Sequence, residues 1–146
     1  MKFVRVVAFA IFVASLSTAA VAVEVSFNRD VRPLLSDRCF KCHGPDGGDS
    51  GQNWKGGLRL DTKQGAFADL AAIRHKVSTA KREAKGLAPL PAPTEPRFAI
   101  VPGEPEQSVL INRIMADDPD ERMPPDDSHL TLSETEKALL HQWIEK

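Results

Sequence analysis

Only two cysteines occur in the 146-residue chain, Cys39 and Cys42, and His43 directly follows the second. The run Cys39-Phe40-Lys41-Cys42-His43 has the C-x-x-C-H spacing of a c-type haem attachment site. That spacing has a physical basis. On a helix, positions i, i+3 and i+4 share a face, so two thiols and an imidazole point the same way. Each thiol can add to one haem vinyl group to form a thioether, and the imidazole then lies under the iron as proximal ligand. Other uses of a Cys pair fit less well. A disulfide across two residues restrains almost no chain, because the contribution of a disulfide grows with its loop. A thioredoxin-like redox pair calls for a strand before the first Cys, where this sequence reads as helix. A zinc site needs further ligands, and His75, His129 and His141 are scattered without ligand spacing.

Elements on both sides must hold this cluster. Asp30 reads as the N-cap of a short first helix, with Pro33 in its first turn, where a missing N–H is harmless. Val31, Leu34 and Leu35 share one face of that helix, which runs into the Cys pair. Residues 44–57 are rich in Gly, Asp and Ser and read as loop; Leu58–Thr62 reads as briefly extended. Residues 65–85 read as a second helix, with Phe67, Leu70, Ala71, Ile73 and Val77 as a weak apolar stripe. Its far end is basic, and Pro89, Pro91, Pro93 and Pro96 mark an extended excursion after it. Such a stretch reads as solvated surface. Pro105 opens a third helix carrying Val109, Leu110, Ile111, Ile114 and Met115, with Met115 read as packing, until Asp117-Asp118-Pro119 stops it. The last helix begins at Ser133, with Glu136 completing a capping box, and turns Leu139, Leu140, Trp143 and Ile144 inward.

Composition bounds the setting. Lys2 and Arg5 precede an almost wholly apolar run, Val6 to Val21, which ends in Ala20-Val21-Ala22. These features read as a signal peptide over residues 1–22, and hence an exported, periplasmic protein. Membrane association is expected only if that segment stays uncleaved, and the run is short of the roughly 20 residues that span a bilayer. The whole chain carries a formal charge of −1. Loss of Lys2 and Arg5 makes the remainder more acidic, an unsuitable balance for nucleic acid. Tyr is absent, and a large apolar cofactor at the centre would complete an otherwise thin core.

The segments F-N-R-D-V-R-P-L-L-S-D-R-C-F-K-C-H-G-P-D, K-G-G-L-R-L-D-T, A-I-V-P-G-E-P-E-Q-S-V-L-I-N-R-I and D-D-P-D-E-R-M-P-P-D-D-S-H-L-T-L-S-E-T-E resemble the planctomycete cytochrome c domain. The likeness runs from about Val25 to Lys146, departing near 72–98, which reads as an insertion within a 23–146 domain. Members typically carry this module at the start of much larger exported proteins, so the chain is expected to be a free-standing version or a truncated one.

The resemblance implies an all-α, class I-like fold of three to five helices around one covalent haem c. It implies one-electron transfer with redox partner proteins, not catalysis. It also points to Met123, in the E-R-M-P-P loop stiffened by Pro124 and Pro125, as the distal iron ligand. His129, in the same loop, is the alternative; His75 and His141 read as surface. Trp54 and Arg59 are candidates to approach the haem propionates, and Pro45 or its loop to accept the second imidazole N–H. Two other functions compete: the electron-accepting module of a larger exported oxidising enzyme, and a haem sensor or peroxidase-like protein with an open distal side.

Overall fold

Val31, Leu34 and Leu35 fall at helical spacing, and the folded chain buries all three. In the computed structural model, which describes residues 24–45, 47 and 55–146, a π-helical turn, Phe27–Val31, runs directly into α1, Arg32–Arg38. Pro33 lies in the first turn of α1, as expected. Asp30 is not the N-cap. The helical run starts earlier and contains it, and its carboxylate accepts from the Ser26 N–H at 2.8 Å. It thus satisfies one of the donors that an opening helical turn leaves free.

A break at Cys39 (φ −123°, ψ −35°) separates α1 from the single turn α2, Phe40–His43. The helix expected over 65–85 is two helices, α3 (Lys63–Ala66) and α4 (Leu70–Glu83). Asp69 divides them. Its carboxylate accepts from the N–H groups of Ala71 at 2.9 Å and Ala72 at 3.3 Å, which starts a new helix at Leu70. The same carboxylate accepts from the Arg97 N–H at 3.0 Å, and the Leu70 N–H donates to the Arg97 carbonyl at 2.7 Å. The Pro-rich segment, exposed and neither helical nor stranded, is therefore tied back to the start of α4.

A second division falls at Ser108 (φ −80°, ψ 120°), between a 3-10 turn, Pro105–Gln107, and α5, Val109–Ile114. Ser108 is fully buried. Its hydroxyl donates to the Glu104 carbonyl at 3.0 Å and accepts from the Val101 N–H at 2.9 Å, bonds that compete with continuous helix. Because α5 ends at Ile114, Met115 does not extend the apolar stripe. It is 55% exposed, not packed in the core as the spacing suggested.

The last helix, α6 (Glu134–Glu145), opens on the expected capping box between Ser133 and Glu136. Leu140 and Ile144 are buried, and Leu139 and Trp143 pack against the same core. The Trp143 ring lies 5.4 Å from that of Phe27, and Arg38 meets Glu136 at 3.4 Å. The first and last helical segments are therefore packed together. Among the described residues there are six α-helical segments and no named strand. The class is all-α; the count exceeds three to five because Cys39 and the Phe67–Asp69 break each divide a run. No helix among the described residues is long and apolar enough to cross a membrane. The signal peptide expected over 1–22 and Trp54 lie outside the described residues.

Candidate functional site

Despite its break, the Cys39–His43 segment keeps one helical turn. The Cys39 carbonyl accepts from the Cys42 N–H at 3.1 Å and from the His43 N–H at 2.8 Å, while the Cys39 N–H donates to Leu35 at 2.8 Å. The turn is thus continuous by hydrogen bonding with the buried end of α1. On its far side the His43 carbonyl accepts from the Leu60 N–H at 2.7 Å. Gly44 ends the turn where a Cβ would collide with the backbone of Phe40, so the tight exit requires glycine.

Both cysteines are free thiols. Burial pushes the Cys39 thiol up to about 12, with Cys42 beside it adding to the rise and Arg38 opposing it. A thiol this reluctant to ionise is a poor redox or metal-binding thiolate near neutral pH. His43 moves the other way. Burial holds its pKa below the ordinary imidazole value, partly offset by the backbone of Leu58 and Lys55. The ring is therefore neutral near pH 7, with a lone pair free to ligate a metal. Its Nδ1 is buried and no hydrogen bond of normal geometry reaches it.

Two adjoining cavities open from these residues, and both are lined by Cys39, His43, Lys55, Ile114 and Met123. The smaller, about 520 Å3 with its mouth, adds Cys42, Pro124 and Pro125. The larger, about 940 Å3 with its mouth, extends between Leu58, Leu60, Leu70, Ala99 and Leu110. Mostly apolar walls around a few convergent polar groups are the usual build of a cofactor site. Two thiols, a neutral imidazole and a thioether facing that space match what a c-type haem needs. Among the described residues, no group of three or more His, Cys, Asp or Glu side chains is arranged to hold a metal ion directly.

Met123 reaches the cavity from the opposite half of the chain. Its N–H donates to the Arg113 carbonyl at 2.9 Å, and the Arg113 guanidinium donates to the Glu121 carbonyl at 2.9 Å. The loop is therefore hung from the end of α5. His129 follows in the same loop but is exposed in a left-handed turn (φ 58°) and lines neither cavity. His75 is half-buried on α4, and His141 meets Glu106 at 3.1 Å. Neither lines the cavities.

Arg59 pairs with Asp61 and does not line the cavities. The cations that line the larger cavity are Lys55, Arg74 and Arg113, and the smaller one adds Arg38 and Lys41; the sequence singled out none of them for the site. The one available signal was spacing: Arg74 stands four residues after the buried Leu70, on the same face of α4.

A family model described as planctomycete cytochrome C matches residues 39–82 and 90–127. The stretch between the two matched segments, 83–89, falls inside the region read as an insertion and covers the end of α4. No curated protein matches the chain, and no solved structure does.

Proposed function

The chain belongs to the planctomycete cytochrome C family, and from that premise we propose that it is an exported, single-haem c-type cytochrome passing electrons one at a time between redox partner proteins. The observation that carries this reading is the convergence of Cys39, Cys42, His43 and Met123 on one apolar space from two distant segments. When bound, haem supplies an iron that alternates between ferrous and ferric states. The chain's own groups do the rest. The Cys39 and Cys42 thiols would hold the group covalently, each S–H adding across one vinyl double bond to leave a thioether. His43 would hold the iron through its neutral imidazole, and Met123, which lines the same cavity, would offer it a thioether. The surrounding Leu58, Leu60, Leu70 and Leu110 side chains keep water from the ligated centre, which raises the energy of the more highly charged ferric state. Export is supported by the sequence of residues 1–22, and the charge balance favours protein partners over nucleic acid.

Expression with an export signal and a c-type maturation system tests this. The reduced-minus-oxidised spectrum should show sharp c-type bands, and haem should survive denaturing electrophoresis. Cys39→Ser with Cys42→Ser should abolish that covalent haem. Haem remaining on the double variant after denaturation would overturn the attachment, and a colourless wild-type protein would overturn the function.

A further inference from the structure

Beside the larger cavity lies a cleft of about 490 Å3 with its mouth, lined by Leu70, Ala71, Arg74, Arg97, Val109 and Arg113. Three arginines from separate stretches of chain meet there, and no acidic residue lines it. Among the described residues, the guanidinium groups of Arg74 and Arg97 have no hydrogen-bond or ion-pair partner. Arg113 donates to the Glu121 carbonyl at 2.9 Å and forms a long ion pair with the Glu121 carboxylate at 3.9 Å, so it is the one arginine of the three with a counter-ion. Asp69 is close in sequence, but its carboxylate is engaged by the backbone N–H groups of Ala71, Ala72 and Arg97.

We infer that this cleft is a carboxylate-binding site built into the wall of the haem cavity. Arg74 and Arg97 are like charges brought to one cleft without an ion-pair partner of their own, and an anion between them turns their repulsion into attraction. Guanidinium groups present paired donors that match a carboxylate oxygen for oxygen. The apolar part of the lining, Leu70, Ala71 and Val109, suits the short methylene stem of an aliphatic acid. The site is also held in advance of any ligand. The Leu70 N–H is bonded to the Arg97 carbonyl at 2.7 Å, the Val109 N–H to Phe98 at 3.1 Å, and the Met123 N–H to Arg113 at 2.9 Å. These bonds fix the backbone from which the three arginines extend.

A carboxylate on a short aliphatic chain can reach the cleft from two sources. Arg74 and Arg113 line the haem cavity as well as the cleft, so the propionates of a bound haem are one source. A free dicarboxylate from solution is the other. Only the first source rests on the haem reading.

The test uses the exported protein with its haem, and the variants Arg74→Gln, Arg97→Gln and Arg113→Gln. Resonance Raman of the haem reports hydrogen bonding to the propionates, and calorimetric titration with succinate reports a free acid. If propionates occupy the cleft, the propionate bending band shifts in Arg74→Gln and Arg113→Gln, and succinate gives no saturable heat. If the cleft takes a free acid, succinate binds the wild type and binds about tenfold or more weakly to Arg97→Gln, the scale of one lost charge-assisted hydrogen bond. A band that no variant moves, together with no succinate binding, overturns the site. Arg113 also ties down the Met123 loop, so the Arg74 and Arg97 variants decide if Arg113→Gln does not fold. Wild-type protein recovered without haem would overturn the proposed function, and the succinate titration of that same protein would still decide the cleft.

Discussion

Replacing Met123 with Ala removes a thioether without removing any bond that shapes its loop. The Met123 N–H still donates to Arg113 at 2.9 Å, and Arg113 still holds Glu121 at 2.9 Å. Arg122 still pairs with Asp126 at 2.9 Å, and the Ser128 hydroxyl still donates to Pro125 at 2.6 Å. The variant should therefore fold with the loop in place. Met123 is half-buried, so truncation should cost less than the ~2–5 kcal/mol of a fully buried Met, at about 1–2 kcal/mol. In a chain of this size that lowers the midpoint of thermal unfolding by about 4–8 °C. The effect at the iron should be much larger. The weak far-red band of the ferric protein should vanish, and the potential should fall, because a thioether ligand favours the ferrous state. Carbon monoxide should bind the reduced variant rapidly where the wild type resists it. His129→Ala, altering an exposed residue outside the cavity, should leave the spectrum and carbon monoxide binding unchanged. A Met123→Ala protein that keeps the far-red band and still resists carbon monoxide would refute the assignment. A spectrum that responds to His129→Ala instead would transfer the ligand role to His129.

Three further outcomes concern stability. Leu140→Ala, at a site 1% exposed within the core, should destabilise by about 2–5 kcal/mol in urea unfolding, and a loss under 1 kcal/mol would mean that α6 does not pack as described. Ser133→Ala removes the hydroxyl that accepts from the Glu136 N–H and should cost about 1 kcal/mol, read as a lower urea midpoint at unchanged slope. Acid should also weaken the fold. The Arg59 guanidinium holds Asp61 below the usual carboxylate range, the Arg97 N–H does the same for Asp69, and the Ser133 N–H for Glu136. Folded carboxylates of lowered pKa bind fewer protons than unfolded ones, so their stabilisation is complete above about pH 4–5 and is lost as pH falls through the folded values. The urea midpoint should hold between pH 7 and pH 5 and drop by pH 3; a flat profile would contradict the sign.

What the sequence alone determined about this protein is what short-range geometry controls. C-x-x-C-H places three groups within one turn, and that turn survives even with the backbone broken at Cys39, because the Cys39 carbonyl still receives both later N–H groups. The capping box at Ser133 closes within four residues, and the inward faces of α1 and α6 follow from helical spacing. Met123 was picked out by family resemblance, and nothing in its own loop separates it from His129 as a facing group. Only the path of the chain places Met123 on the cavity that His43 lines and leaves His129 outside. Tertiary structure also decided where helices stop. The Asp69 carboxylate caps α4 while bonding to Arg97, 28 residues later, and buried Ser108 gives up helical backbone to bond with Val101 and Glu104. Such exchanges depend on which distant carbonyl or N–H arrives, which periodicity does not encode. The three arginines of the cleft are the extreme case. Helical spacing puts Arg74 on the face of Leu70 but links it to neither Arg97 nor Arg113; the three charges become neighbours only because α4, the segment after the Pro-rich stretch and α5 are bonded together through their backbones.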